Sequence, residues 1–299
     1  MRVLVFGAKG WIGGQFLANT KHTAIIATSR AENFLEVYDE IQRTNPDCII
    51  SFLGRTYGTA PDGKLIPSID YLELPGKLNE NMRDNFFAPY NLAFWSNKFD
   101  KHFIYLGTGC IYTYTDDAKI FTEWDKPNFF GSGYSTVKGY TDQVLRYFPN
   151  TLQLRIRMPV SKLVSQRNLI DKLISYPNIC SIPNSMTVLD DMWPIIDKMI
   201  EVQEKGVFNL TNPGTTEHDW ILKKYAEFIN PQHSWKLVSY EEQMKYIKSD
   251  RSNNELCTKK LEGFCNKHNI ELLSIQESIT RCLIRRLRGD QGVLNHSQN

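Results

Sequence analysis

The stretch VLVFGAKGWIGG, residues 3–14, runs an apolar segment into a glycine-punctuated turn and out into a helix-forming segment. Gly7, Gly10 and Gly13 are spaced G-x-x-G-x-x-G, one residue longer in the first step than the dinucleotide fingerprint G-x-G-x-x-G. Each glycine has a mechanical role in that reading. Gly7 makes the tight turn off the strand, Gly10 lets backbone approach a pyrophosphate, and Gly13 lets helix pack on strand, with the anion at the helix N-terminus. Trp11 and Ile12, between the glycines, belong to the same cofactor site. A glycine triplet alone says little; its position directly between a strand and a helix gives it weight.

Outward from this turn, short apolar runs alternate with longer helical segments: RVLVFG, WIGGQFLANT, AIIATS, FLEVYDEIQRTN, DCIISFLG. The rhythm continues through the helical NENMRDNFFAPYNLAFWSNK, the strand HFIYLG, the helix YSTVKGYTDQVLRYF and the strand TLQLRIRMP. Strand and helix in alternation predict an α/β protein with a Rossmann-type, doubly wound parallel sheet. Past residue 160 the pattern loosens into short strands, polar loops and helices, as in IPNSMTVLDDMWP, which reads as a smaller α/β substrate-binding lobe. The expected organisation is an NADP-binding domain over 1–160, the lobe over 161–285 with GVFNLT returning to the main sheet, and a flexible tail over 286–299.

The 299 residues, 41% hydrophobic and 23% charged, suit a globular protein with a sizeable core. A formal net charge of +2 is too mild for nucleic acid or an anionic membrane to be the main partner. The six cysteines are scattered without a C-x-x-C pair, which predicts free thiols in a reducing compartment and no metal site. With no leader-like segment and no run of 18 apolar residues, a cytoplasmic location is expected.

The second strand ends in TSR, residues 28–30, where an NAD site presents an acid to the ribose. Arg30 beside the hydroxyl of Ser29 instead suits the ribose phosphate of NADPH; NADH is the alternative, and a plain surface arginine the bland reading. Leu53, Gly54 and Arg157 are counted with the same cofactor site. Tyr134 and Lys138 in GSGYSTVKGY are four apart, hence on one helix face, where an ammonium can lower a phenol's pKa toward the working range. That spacing is usually structural. Together with the glycine turn and with Thr108, which ends the strand in FIYLGTGCIY, it completes a Thr-Tyr-Lys constellation in chain order.

These residues resemble the extended short-chain dehydrogenase/reductases that act on nucleotide sugars. The resemblance implies that Thr108 bonds the substrate carbonyl, Tyr134 donates the proton, Lys138 holds the nicotinamide ribose and Asn85 supports a proton relay. Gly109-Cys110 stands where 4,6-dehydratases carry an acidic pair. GTGCIY is instead similar to the epimerase/reductases, including GDP-fucose synthase. Longer strings, among them NFFGSGYSTVKG, RNLIDKLI and RSNNEL, resemble the plant and giant-virus enzymes that convert UDP-4-keto-6-deoxyglucose to UDP-L-rhamnose.

That resemblance implies 3,5-epimerisation by Cys110 and Lys172, then NADPH-dependent 4-keto reduction, on a ketone supplied by a separate 4,6-dehydratase. Family members are often dimers, so the resemblance leaves a homodimer possible, and the sequence itself does not reveal the oligomeric state. Arg251 with Asn253 is the candidate for the diphosphate and uridine end, because arginine binds phosphate bidentately; a cap or salt bridge is the competing reading. Asn184, Met186 and Val188 are expected to line the same cleft. Two alternatives stay open: a 4-keto reductase without epimerase activity, as in dTDP-4-dehydrorhamnose reductase, and a non-catalytic NADP-binding subunit.

Overall fold

In the computed structural model, residues 1–115 and 118–289 are described. The chain opens β1 (Arg2–Phe6), α1 (Trp11–Asn19), β2 (Thr23–Ile26), α2 (Phe34–Thr44) and β3 (Cys48–Ser51), as the alternation predicts. A small hairpin of β4 (Gly58–Thr59) and β5 (Leu65–Ile66) and a 3-10 turn (Ile69–Glu73) precede α3 (Leu78–Met82), a π turn (Arg83–Phe87) and α4 (Ala88–Lys98). Then come β6 (His102–Thr108), β7 (Ile120–Phe121), α5 (Gly133–Leu145), β8 (Thr151–Ile156), α6 (Leu169–Ser175) and β9 (Asn178–Ile179). The remainder is α7 (Leu189–Glu201), β10 (Gly206–Asn209), α8 (His218–Phe228), β11 (Lys236–Leu237), α9 (Tyr240–Met244), β12 (Glu255–Leu256), α10 (Lys259–Lys267) and α11 (Ile275–Leu287).

Six parallel strands form the main sheet in the order β10-β8-β6-β3-β1-β2. The chain steps from β1 outward to β2 and then returns to the far side of β1 for β3. That reversal opens a crevice at the carboxyl ends of the strands, where this class of sheet takes its ligands. Helices cover both faces, so the strands are apolar on both. Val3, Val5, Ile104, Leu106, Leu152 and Leu154 pack with α1, α7 and α10, while Leu4, Phe6, Ile49 and Phe103 face α2, α4 and Leu145 of α5. A third core of Val160, Ile170, Met186, Val188, Ile221, Ile279 and Leu283 belongs to the lobe.

IPNSMTVLDDMWP resolves into a β-bridge and a helix. Val160 bridges Val188, and α7 then runs from Leu189 straight through Pro194. Burial of Leu189, Met192, Trp193, Ile196, Met199 and Ile200 against the sheet outweighs the helix bond that proline removes. The expected tail over 286–299 overlaps the end of α11 and a turn at Arg288–Gly289; residues 290–299 lie outside the described residues. The six cysteines are free thiols, and among the described residues no helix is long and apolar enough to cross a membrane.

One local distortion positions the site. Pro89 has no N–H to give the carbonyl of Asn85, four residues earlier, and the helix slackens into the π turn there, with the Ala88 N–H bonding Arg83 O instead. The freed Asn85 carbonyl accepts from the Thr141 hydroxyl of α5 at 2.7 Å. The π turn and the helix carrying Tyr134 and Lys138 are thereby tied together.

Candidate active site

A cavity of about 880 Å³ lies at the carboxyl ends of β1, β3 and β6 and extends under the lobe. Its floor begins at the glycine turn. Gly7 has φ of +78°, and a Cβ on Gly13 would stand 2.2 Å from the Gly7 carbonyl oxygen, so a side chain at Gly13 is sterically excluded. Gly10 is the N-cap of α1 and offers no side-chain cap, which leaves the first N–H groups of the helix for an outside acceptor. Gly7, Gly10, Trp11, Ile12, Gly13, Leu53 and Gly54 all line the cavity. A bare helix N-terminus above a turn that tolerates only glycine fits a dinucleotide pyrophosphate.

The other cofactor candidates sit elsewhere. Ser29 and its neighbour Thr28 spend both hydroxyls and both N–H groups on the buried carboxylate of Glu40, which reaches back from α2. Arg30 is exposed, and neither Ser29 nor Arg30 lines the cavity. Arg157 is 1% exposed and also outside it. Its guanidinium bonds the Gly109 carbonyl, the Ser252 hydroxyl and carbonyl and the Asn184 side chain, pinning the turn after β6 to the segment before β12. This also accounts for Gly109: a Cβ there would stand 2.9 Å from Arg157 Cγ and 2.6 Å from a Leu256 methyl.

Thr108, Cys110, Tyr134 and Lys138 meet in the middle of the cavity. The Cys110 backbone N–H donates to the Thr108 hydroxyl oxygen at 3.0 Å, fixing the Thr108 side chain on the turn that carries Cys110. Burial, reinforced by the nearby Cys110 thiol, pushes the Tyr134 phenol well above its ordinary value, and a hydrogen bond with Thr108 only partly opposes that. The Lys138 ammonium donates to the Tyr105 hydroxyl. Lys138 is 4% exposed, and burial pushes it down to about 7. Asn85 is fully buried behind the wall, its amide bonding Arg55 O and Asn81 and its oxygen accepting from Arg55 N. It does not line the cavity, but a Cβ on Gly54 would touch both Asn85 Oδ1 (3.4 Å) and Lys138 Nζ (3.7 Å).

The lobe side of the cavity carries charge. Lys172, Arg167 and Arg251 line it, and among the described residues Arg167 and Lys172 have no carboxylate partner. Burial and then the charges of Arg167 and Arg251 lower the Lys172 pKa. The Arg167 guanidinium carbon stands over the Tyr57 ring, 2.9 Å from its centroid. Arg251 is held by Asp70 at 2.8 Å, and Asp70 also accepts from the Lys248 and Ser249 N–H groups. Burial works against ionisation of Asp70, yet the hydrogen bonds from Arg251 and Ser68 and the charge of Arg251 keep its carboxyl well below the usual range. Asn253 lines the cavity as expected. Asn184, Met186 and Val188 do not: Met186 and Val188 are core residues of the lobe, and Asn184 is a buried partner of Arg157. Asp70, Tyr57 and Arg167 carry no signal in the sequence, because each depends on a partner distant in the chain.

No family model matches the chain. A protein of Acanthamoeba polyphaga mimivirus is 44% identical over 289 residues, covering 94% of this chain and 98% of its own. Its crystal structure, that of a UDP-rhamnose synthase, superposes with a TM-score of 0.88 over 95% of this chain and 98% of the viral one. The Arabidopsis thaliana bifunctional dTDP-4-dehydrorhamnose 3,5-epimerase/dTDP-4-dehydrorhamnose reductase is 34% identical over 287 residues, 93% of this chain and 91% of the plant protein. A longer Arabidopsis protein, the trifunctional UDP-glucose 4,6-dehydratase/UDP-4-keto-6-deoxy-D-glucose 3,5-epimerase/UDP-4-keto-L-rhamnose-reductase, is 35% identical, with 41% of its length matched.

Proposed function

The chain belongs to the UDP-rhamnose synthase family of nucleotide-sugar epimerase/reductases, and we propose that it converts UDP-4-keto-6-deoxy-D-glucose to UDP-L-rhamnose by 3,5-epimerisation and NADPH-dependent 4-keto reduction. The observation that carries this reading is a single cavity in which two hydroxyls, a thiol and the half-buried amine of Lys172, which has no carboxylate partner among the described residues, stand beside a glycine turn fitted to a dinucleotide. The ketone is the product of a 4,6-dehydratase, an activity named for the longer plant relative.

A ketone at carbon 4 acidifies the protons on carbons 3 and 5, because the enolate left behind spreads its charge onto the oxygen. Inversion at each carbon needs a base on one face and an acid on the other. Cys110 and Lys172 form that pair, in which one accepts the carbon-bound proton and the other returns a proton to the opposite face. Burial and the charges of Arg167 and Arg251 lower the Lys172 pKa, which makes its proton easier to give up.

Thr108 and Tyr134 donate hydrogen bonds to the ketone oxygen, stabilising first the enolate and later the alkoxide. The raised pKa of Tyr134 keeps it a phenol, ready to protonate that oxygen. When bound, NADPH supplies the hydride to carbon 4. Arg251 and Arg167 provide the positive charge for the diphosphate. Reduction must come last, since it removes the ketone on which both inversions depend.

Wild type and Cys110→Ala are each given UDP-4-keto-6-deoxyglucose and NADPH, and the sugar product is identified by NMR. UDP-L-rhamnose from wild type, with an uninverted 6-deoxy sugar or no product from the variant, is the expected pair of results. An uninverted sugar from wild type would reduce the function to that of a plain 4-keto reductase.

A further inference from the structure

Tyr105 is a phenol where the fold requires only an apolar ring. It is 1% exposed, in the middle of β6, within a core that includes Phe103, Leu92 and Leu145. A hydroxyl buried there is costly unless it is hydrogen-bonded. Its partner is Lys138: Nζ donates to the Tyr105 oxygen at 2.5 Å and lies 4.7 Å from the ring centroid. Among the described residues this is the only hydrogen bond of that ammonium. Residues alternate along the strand, so Tyr105 and Gly107 share a face, and a Cβ on Gly107 would stand 3.2 Å from Tyr105 Cε1. The glycine two residues on gives the ring its room.

We propose that Tyr105 is the positioning residue for Lys138: its hydroxyl takes one of the three N–H donors and fixes the ammonium at the cavity wall, leaving two donors for the adjacent hydroxyls of a cofactor ribose. This rests on the reading of Lys138 as a ribose ligand. A lysine side chain has considerable rotamer freedom, and a bond at its tip removes that freedom before the ligand arrives. Tyr105 suits this role because burial pushes its own pKa far up, so it remains a neutral acceptor that does not compete for the site as an anion.

Other groups act on Lys138 from each element around it. Cys110 beyond β6 and Asp142 on α5 favour its charged form, the latter shared with Arg155 and Arg146. Asn85 of the π turn presents its oxygen near Gly54, and Tyr134 lies one turn back on α5. None of these provides the hydrogen bond that Tyr105 does.

The test is the titration of Lys138 in the cofactor-free protein, followed through its side-chain carbon resonance and assigned by its loss in Lys138→Met. In Tyr105→Phe, which keeps the ring and the packing, Lys138 is expected to titrate about one pH unit lower, since the charged form has lost its acceptor. An unchanged titration, or one that moves upward, overturns the inference. A second reading is the NADPH dissociation constant. Tyr105→Phe is expected to raise it about tenfold in the wild-type background and to have no effect in the Lys138→Met background. Equal factors in both backgrounds would make Tyr105 a packing residue only. Neither measurement uses a sugar, so a wild type that fails to turn over the keto sugar would defeat the proposed function and leave this inference standing.

Discussion

The two walls of the cavity are built on different principles. The cofactor wall is backbone: a turn at Gly7, a bare helix start at Gly10 and a contact at Gly13 that admits no Cβ. The lobe wall is held by side chains, with Arg167 over Tyr57 and Arg251 held by Asp70 across 181 positions of sequence. Backbone positions a group with little freedom and tolerates almost no substitution. Side-chain pairs can be exchanged, and the charges they hold can be shared with a ligand. On the proposed function, rigid recognition of an invariant cofactor and adjustable recognition of a particular nucleotide sugar would be served by separate constructions in one cavity.

The largest effect is expected where the walls meet. Tyr134→Phe removes the proton that the proposed reaction gives to the ketone oxygen, and reduction followed by NADPH oxidation should fall about 10²–10⁴-fold. Folding and NADPH affinity should hardly change. A variant with near-normal reduction would reassign the proton to Thr108 and remove Tyr134 from the junction.

Next comes Gly13→Ala on the cofactor wall. The added methyl would stand 2.2 Å from one backbone atom and 2.9 Å from another, neither of which can swing aside. A stability loss of about 1–3 kcal/mol, read from denaturant midpoints, is the order expected of such overpacking, together with loss of NADPH binding in a fluorescence titration. Retained binding would show that the turn relaxes and would break the contrast between the walls.

That contrast also decides what the sequence reveals. Gly7, Gly10 and Gly13 touch one another within seven residues, and Tyr134 and Lys138 share a helix face, so their spacing carries the geometry directly. The strand and helix alternation is readable for the same local reason. What Ser29 does is hidden because Glu40, from the next helix, claims its hydroxyl, and nothing in TSR announces it. Arg157 misleads because a buried arginine that braces a turn and one that binds phosphate look alike in a string. Met186 and Val188 carry no local sign that they face the core; their burial follows from the bridge between Val160 and Val188. Tyr105 is hidden inside a run that reads as an ordinary strand, since its meaning lies in Lys138, 33 residues on.

On the lobe wall, Asp70→Asn should release the clasp without disturbing the core. Asp70 gathers the Lys248 and Ser249 N–H groups, the Ser249 hydroxyl and the Arg251 guanidinium. Its folded pKa lies below the unfolded value, so its contribution is present at pH above about 4 and is lost as pH falls through the folded value. Hydrogen exchange at Lys248 and Ser249, corrected for the intrinsic effect of pH, should therefore speed up on acidification in wild type. In Asp70→Asn it should already be fast at neutral pH and change little. Equal protection in the two proteins would mean that the hairpin and the π turn hold this wall, as backbone holds the other.

The smallest effect tests whether glycine is demanded by the cofactor wall or is merely common in this chain. Gly263 lies in the interior of α10, its Cβ would meet nothing within 4 Å, and its φ is ordinary. Alanine there loses none of the helical geometry and gives up less backbone freedom on folding, so Gly263→Ala should raise stability by about 1 kcal/mol. NADPH affinity should be unchanged. The same substitution at Gly13 and Gly263 then has opposite signs, and the difference isolates the steric demand of the turn from the general cost of glycine in a helix. If Gly263→Ala destabilises as well, that demand is not confined to the turn, and the cofactor wall loses its claim to be built differently from the rest of the molecule.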